Sequence, residues 1–219
     1  MNPDGKTDGL QLRQIAISLA GKPLLSLSAT VRPGEILAVM GRSGSGKSAL
    51  LSYLGGFLDP AFAASGEILI DGRDLTEISA EKRGAGMLFQ DALLFPHLSV
   101  GDNLMFGLSS TIRGASERRR LVEQALVEIE LGDFFDRDPA TLSGGQKARV
   151  ALQRTLLSAP RLLLLDEPFS KLDADLRQQI RDLVFTRTKA LKLPVVLVTH
   201  DRSDALAAGG QTITIGSEP

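Results

Sequence analysis

Cysteine and tryptophan are absent from the 219 residues, tyrosine occurs once and histidine twice. Without cysteine there can be no disulfide framework and no thiolate metal site, a composition that suits a reducing compartment. Two histidines are too few for a histidine-rich metal site. Neither sign of charge prevails: 25 basic and 26 acidic side chains leave a formal net charge of −1. Nothing in that balance points to a nucleic-acid partner. Apolar runs of the ~18–20 residues that a membrane-crossing helix needs are also missing. The stretch Met1–Gly9 carries Pro3, Asp4 and Asp8 and has neither the basic start nor the apolar core of a secretory signal. We read it as a flexible tail, with a second tail at residues 216–219, and assign any membrane role to another chain.

What is present suffices for a globular core, with 43% hydrophobic and 23% charged residues. Leu10, Leu12, Ile15, Ile17 and Leu19, then Leu25, Leu27, Ala29 and Val31, alternate as half-buried antiparallel strands do. Arg32-Pro33-Gly34 is a turn. Ile36–Met40 is a short, wholly apolar run of the kind found in buried parallel strands, and a helix is expected from Lys47 to Leu54. Further strands are expected at 66–70, 87–89, 162–165, 195–199 and 212–215. Between residues 91 and 158 the pattern is helical: Leu121, Val122, Ala125, Leu126 and Ile129 recur at helical spacing. A helix should open at Ser143 and stop before Pro160, and another should run from Ala174 to Leu191. There is no internal repeat and no heptad run. The expected fold is α/β: a single domain over residues 10–215, with a mostly parallel sheet, an antiparallel N-terminal portion and a helical insertion at about 91–158.

The segment Gly41-Arg42-Ser43-Gly44-Ser45-Gly46-Lys47-Ser48 fits G-x-x-x-x-G-K-[ST], with a buried strand before it and a helix after it. Glycines let successive backbone N–H groups curl around phosphate oxygens, and the helix start adds positive potential. Lys47 would meet the β- and γ-phosphates and the Ser48 hydroxyl would ligate Mg²⁺. This motif alone says only that a nucleotide is bound, since kinases and GTPases share it. An acid at the end of a second buried strand would complete a metal site, and Leu162–Leu165 is followed by Asp166-Glu167-Pro168. Asp166 is the candidate metal ligand. Glu167 is the candidate general base that polarises the attacking water.

Leu142-Ser143-Gly144-Gly145-Gln146 resembles the signature sequence of ATP-binding cassette (ABC) ATPases, and the resemblance covers about Leu10 to Ile215. It implies a P-loop core carrying a helical signature subdomain. It also implies a head-to-tail homodimer with two ATP molecules sandwiched between the copies. In that arrangement Ser143, Gly144, Gly145 and Gln146 face the partner's γ-phosphate, as a helix N-terminus can. Three more positions match the family pattern: Gln90 as a contact to metal and attacking water, His200 as the histidine bonded to the γ-phosphate, and Asp173 in the loop crossing the dimer seam. Asp173 is also placed to cap the following helix.

The sequence departs from the family pattern in three places. Leu19 stands where a base-stacking aromatic is usual, Ala49 where a hydroxyl usually meets the α-phosphate, and Lys171 where alanine is common. The first two predict weaker binding at the adenine end and poor discrimination between ATP and GTP. Lys171 could pair with an acid or with phosphate, or point to solvent.

In similar proteins the segment after Gln90 receives a membrane permease, so docking near residues 90–106 is expected, with Leu94, Phe95 and Leu98 either lining a groove or packed in the core. Arg118-Arg119-Arg120 reads as a solvated helix face. The resemblance is to short cassettes of binding-protein-dependent importers, including thiamine and oxyanion systems. Such a chain would be peripheral at the cytoplasmic face of the inner membrane and linked only indirectly to a substrate-binding protein. An export or lipoprotein-release cassette and a soluble ATPase acting on DNA or ribosomes are the alternatives. The chain ends soon after its final strand, from which we expect no added C-terminal regulatory domain.

Overall fold

Alternating apolar side chains fold the first segment into an antiparallel ladder. The structure is a computed structural model that describes residues 9–216, so the expected tails lie, apart from Gly9 and Gly216, outside the described residues. Strand β1 (Leu10–Leu19) pairs with β2 (Lys22–Val31) on one edge. Its other edge pairs with β4 (Phe62–Ile70), which in turn pairs with β5 (Arg73–Asp74). The apolar series changes parity between Leu12 and Ile15, and the register shifts there. Gln14, with φ 49°, absorbs the extra residue, so Leu10, Leu12, Ile15 and Ile17 are all buried despite the break in period. β4 begins at Phe62, four residues earlier than expected from sequence; small Ala63, Ala64 and Ser65 hide the alternation.

A second sheet, with apolar runs at its centre, has five strands in the order β6-β7-β8-β3-β9. These are β3 (Ile36–Gly41), β6 (Ala85–Leu88), β7 (Leu162–Asp166), β8 (Val195–Val198) and β9 (Thr212–Ile215). β7, β8, β3 and β9 run parallel. Burial on both faces explains why β3, β7 and β8 read as apolar runs, whereas the edge strand β9, Thr-Ile-Thr-Ile, alternates. Helix α1 (Lys47–Gly55) follows β3; its Leu50, Leu51 and Leu54 pack in one core with Leu37, Val39, Leu164 and Val196 and with Ile17 and Ile68 of the antiparallel sheet.

Register now positions the site. Asp166 pairs with Val198 on β8, and Val198 pairs with Val39 on β3. The C-terminal ends of three parallel strands therefore lie side by side. The loops leaving them carry the Lys47 segment, Glu167 and His200, at the edge where open α/β sheets bind ligands.

Behind this edge, helix α2 (Ala80–Arg83) supplies Arg83, which is 6% exposed. Its guanidinium donates to the carbonyls of Tyr53 (2.7 Å) and Leu54 (3.1 Å) in the last turn of α1, and to Thr76 (2.7 Å) and Ile78 (2.6 Å). A buried cation thus satisfies carbonyls that the helix end leaves open and complements its negative pole.

Contacts divide the chain into two units, one of residues up to 87, 161–167 and from 185 onward, the other of residues 88–160 and 168–184. The second is helical. It contains α3 (Val100–Gly107), α4 (Ala115–Glu128), α5 (Gly144–Leu157) and the first part of α6 (Ala174–Ala190). Its own core gathers Val100, Leu104, Val122, Leu126, Leu131 and Val150. The Arg118–Arg120 run is not one solvated face. Arg118 turns inward to the carbonyls of Met105, Ser109 and Ile112, whereas Arg119 pairs with Glu123 and Arg120 with Glu117.

Candidate functional site

Gly44 and Gly46 have φ of 80° and 90°, a left-handed backbone that favours glycine. A Cβ on Gly41 would lie 2.6 Å from the Ile215 carbonyl and 2.7 Å from Ser45 Oγ. The loop can close only with these residues. Gly46 caps α1 without a side-chain hydrogen bond, and the first turn holds no acid. Ser45 Oγ is buried with no hydrogen-bond partner among the described residues. Lys47 is 7% exposed and its Nζ donates to the carbonyls of Gly41 (2.8 Å) and Arg42 (3.0 Å). Open N–H groups, an unpartnered hydroxyl and an inward ammonium suit a phosphate chain.

Ser48 Oγ lies 3.4 Å from Asp166 Oδ1. Burial raises the Asp166 carboxyl above the usual carboxylate range. The Ser48 hydrogen bond and the charge of Lys47 oppose the shift, and the charge of Glu167 adds to it. A hydroxyl beside a desolvated carboxylate is a donor set that fits a hard dication such as Mg²⁺, which would favour the ionised form. Among the described residues there is no cluster of three or more His, Cys, Asp or Glu able to hold a metal, which directs attention to this mixed pair.

Glu167 follows β7 with φ 47°, and its N–H donates to the Val198 carbonyl at 3.0 Å. For a residue with a Cβ this backbone costs on the order of 1–3 kcal/mol, a strain that tends to collect at functional sites. Its Oε2 lies 2.9 Å from Nδ1 of His200. Lys47, Ser48, Asp166, Glu167 and His200 therefore meet at one strand edge. Ala49 is buried in α1 and offers no hydroxyl. Leu19 is 37% exposed at the end of β1, and its cross-strand partner on β4 is Phe62. Opposed residues of an antiparallel pair share a face, so an aromatic ring neighbours Leu19 from a strand 43 positions later in the chain.

The helical unit carries the remaining candidates. Ser143 caps α5 with a capping box: its Oγ accepts from Gln146 N at 3.3 Å and Gln146 Oε1 accepts from Ser143 N at 2.9 Å. Gly144 is exposed with open space around it. A Cβ on Gly145 would instead meet Leu176 at 2.4 Å, so this glycine admits the first turn of α6. Asp173 caps α6, with Oδ1 accepting from Leu176 N at 3.0 Å. Gln90 is exposed in the loop after β6. Lys171 pairs with an acid: Nζ is 2.6 Å from Asp91 Oδ1.

Two residues that sequence reading passed over hold the loop beyond Gln90. Asn103, fully buried, receives the Phe95 N–H at 2.8 Å and donates to the carbonyls of Phe95, Leu98 and Ser99. Arg154 donates to the carbonyls of Leu93 (3.0 Å) and Ala92 (3.3 Å), with its guanidinium over the Phe95 ring. A polar residue on the apolar stripe of α3 was the available signal for Asn103. Leu94 packs against the helical core, while Leu93 and Phe106 are 56% and 69% exposed and Phe106 meets Phe95 edge-on at 4.7 Å between ring centroids.

A family model described as ABC transporter matches residues 24–170. An uncharacterized ABC transporter ATP-binding protein, YnjD of Escherichia coli K12, is 46% identical over 199 residues, 90% of this chain and 91% of its own length. A putative 2-aminoethylphosphonate import ATP-binding protein, PhnT of Salmonella choleraesuis, is 41% identical over 91% of this chain and 54% of its own. A spermidine/putrescine import ATP-binding protein, PotA of Pseudomonas aeruginosa, is 44% identical over 83% and 49%. The chain thus spans about half the length of the last two and nearly all of the first. With the phosphate loop, the acidic strand end and the signature helix each in the expected local setting, the chain belongs to the ABC transporter family and is an ATPase of that family.

Proposed function

We propose that this chain is the ATP-hydrolysing subunit of an importer, acting as a homodimer beneath a separate membrane permease. One observation carries the dimer: the chain holds two phosphate-type helix starts, yet Lys47 and the Ser48–Asp166 pair accompany only one of them. The other, at exposed Ser143 and Gly144, suits the γ-phosphate of a second copy. Among the described residues no helix is long and apolar enough to cross a membrane, which supports a peripheral subunit that borrows a permease. The similarity to PhnT and PotA, both named as import ATP-binding proteins, supports import over export.

In this reading Gly41–Ser48 hold the triphosphate. Mg²⁺, held by Ser48 and Asp166, would supply charge neutralisation, and Gln90 is assigned its part in hydrolysis by its place in the family pattern. Glu167 takes a proton from water while His200 orients it and contacts the γ-phosphate. Asp173 lies at the seam, and Gln146 keeps the partner-facing helix start in shape through its bond to Ser143 N. The adenine packs on the Leu19–Phe62 pair. Phe62→Ala is expected to raise KM for ATP about 10-fold, the equivalent of ~1.4 kcal/mol of stacking, with kcat unchanged. Because the chain has no tryptophan, Phe62→Trp gives a single reporter. Its fluorescence should respond to Mg-ATP and not to tripolyphosphate, and equal responses to both would remove the base from this face.

The permease docks on an apolar rim made of exposed Leu93 and Phe106 with half-buried Phe95 beside them. A patch of this kind at a loop fastened by Asn103 and Arg154 suits a partner segment. Phe106→Asp should abolish co-purification with the permease while leaving ATP turnover of the free chain within about 2-fold, as surface substitutions generally cost little. Retained co-purification and transport would move the docking site elsewhere.

A further inference from the structure

Lys171 is the one departure from the family pattern that makes a tight contact, and the contact joins two loops of the helical unit. Its Nζ lies 2.6 Å from Asp91 Oδ1 across 80 positions of sequence. Asp91 is the residue after Gln90. On the other side Lys171 stands midway between two anchors: Phe169, 1% exposed, and Asp173, which caps α6. A turn closed by Leu172 N to the Phe169 carbonyl, at 3.2 Å, fixes the backbone between them. Lys171 is thus presented from a rigid mount.

The Asp91 side is looser. Strand β6 ends at Leu88, and the fastening by Arg154 starts only at Ala92. Among the described residues, the Lys171 contact is the sole side-chain hydrogen bond found on the segment Phe89–Asp91. Gln90 itself is exposed.

We infer that the Lys171–Asp91 pair is a latch that positions Gln90 by tying its loop to the loop carrying Asp173. Lys171 is a positioning residue: it acts through Asp91, the residue next to Gln90. The inference rests on the proposed role of Gln90 in hydrolysis. The two side chains are 52% and 63% exposed, so water and salt compete for the pair. Surface pairs of this kind contribute little to global stability. They can still bias a short, otherwise untied segment between two arrangements.

That difference makes the latch testable on the full chain. Lys171→Ala and Asp91→Asn should each lower kcat for Mg-ATP hydrolysis about 2- to 5-fold, the range that a surface pair can bias. KM and melting temperature should stay unchanged. The double variant should be no slower than either single one. Lys171→Arg, and the exchange Asp91→Lys with Lys171→Asp, should restore turnover. Raising salt should slow the natural chain toward the rate of Lys171→Ala and affect that variant less. Single variants with natural kcat, or losses that multiply in the double variant, would overturn the latch. Gln90→Ala in the same assay separates the two ideas: natural kcat there would remove the proposed role of Gln90 itself, whereas a slowed Gln90→Ala beside latch variants of natural kcat would remove the latch alone.

Discussion

Replacing Glu167 by glutamine is expected to lower kcat for ATP hydrolysis by about 10²–10⁴-fold, the usual contribution of a positioned general base. KM should change little, since the amide keeps the size of the carboxylate and the phosphate loop is untouched. The expectation follows from placement. Glu167 leaves β7 immediately after Asp166, its left-handed backbone is held by the bond from its N–H to Val198, and its carboxylate reaches His200 at 2.9 Å. A carboxylate locked between a metal-type ligand and an imidazole is set to take a proton from water. Steady-state hydrolysis with Mg-ATP measures this directly. A drop of less than 10-fold would assign the base to another group.

Replacing Arg83 by alanine is expected to be the most damaging single change outside the catalytic edge, costing about 3–5 kcal/mol. Four carbonyls, two of them in the last turn of α1, depend on one guanidinium that is 6% exposed. Removing it takes the donor from the Leu54, Thr76 and Ile78 carbonyls, leaves the Tyr53 carbonyl only the Gly56 N–H, and takes away the positive charge at the helix C-terminus. Lysine is a poor substitute, because one ammonium cannot reproduce the planar fork. In a chain of this size ~1 kcal/mol corresponds to roughly 2–4 °C, so the melting temperature should fall by about 6–20 °C. Calorimetry of the alanine and lysine variants checks this, and a shift below 2 °C for alanine would show that water replaces the guanidinium. Because the other end of α1 carries the phosphate loop, nucleotide affinity should weaken as well.

Much of this arrangement was legible beforehand, and the reason is physical. Strands buried on both faces must be apolar throughout, so Ile36–Met40, Leu162–Leu165 and Val195–Val198 announced themselves. A phosphate cradle demands glycines with left-handed backbone, so Gly44 and Gly46 stood in a fixed pattern before Lys47. Capping chemistry is equally local: Ser143 and Gln146 are three residues apart, and so are Asp173 and Leu176.

What escaped the sequence reading depends on contacts between distant segments. The partnership of Leu19 with Phe62 arises from strand register across an insertion of other elements. Lys171 finds Asp91 across 80 positions, and no periodicity signals such a pair. Arg83 and Arg154 look like surface cations in one dimension, yet fold inward because helix ends and loops leave carbonyls that need donors. Phe89, expected at the end of a buried strand, is instead 42% exposed, since β6 closes at Leu88. Of the alternatives open for the apolar residues after Gln90, core packing holds for Leu94. Leu94 turns into the helical core, and the exposed positions are its neighbour Leu93 and the later Phe106.

One terminal phosphoryl group clasped by two copies of this chain is the claim on which the proposed function stands. Size-exclusion chromatography with light scattering on Glu167→Gln, with and without saturating Mg-ATP, tests it most directly. The account predicts a monomer that doubles in mass when Mg-ATP is added and returns to monomer when Ser143→Arg blocks the signature helix start. A Glu167→Gln chain that stays monomeric in saturating Mg-ATP, including when its permease is supplied, would contradict it.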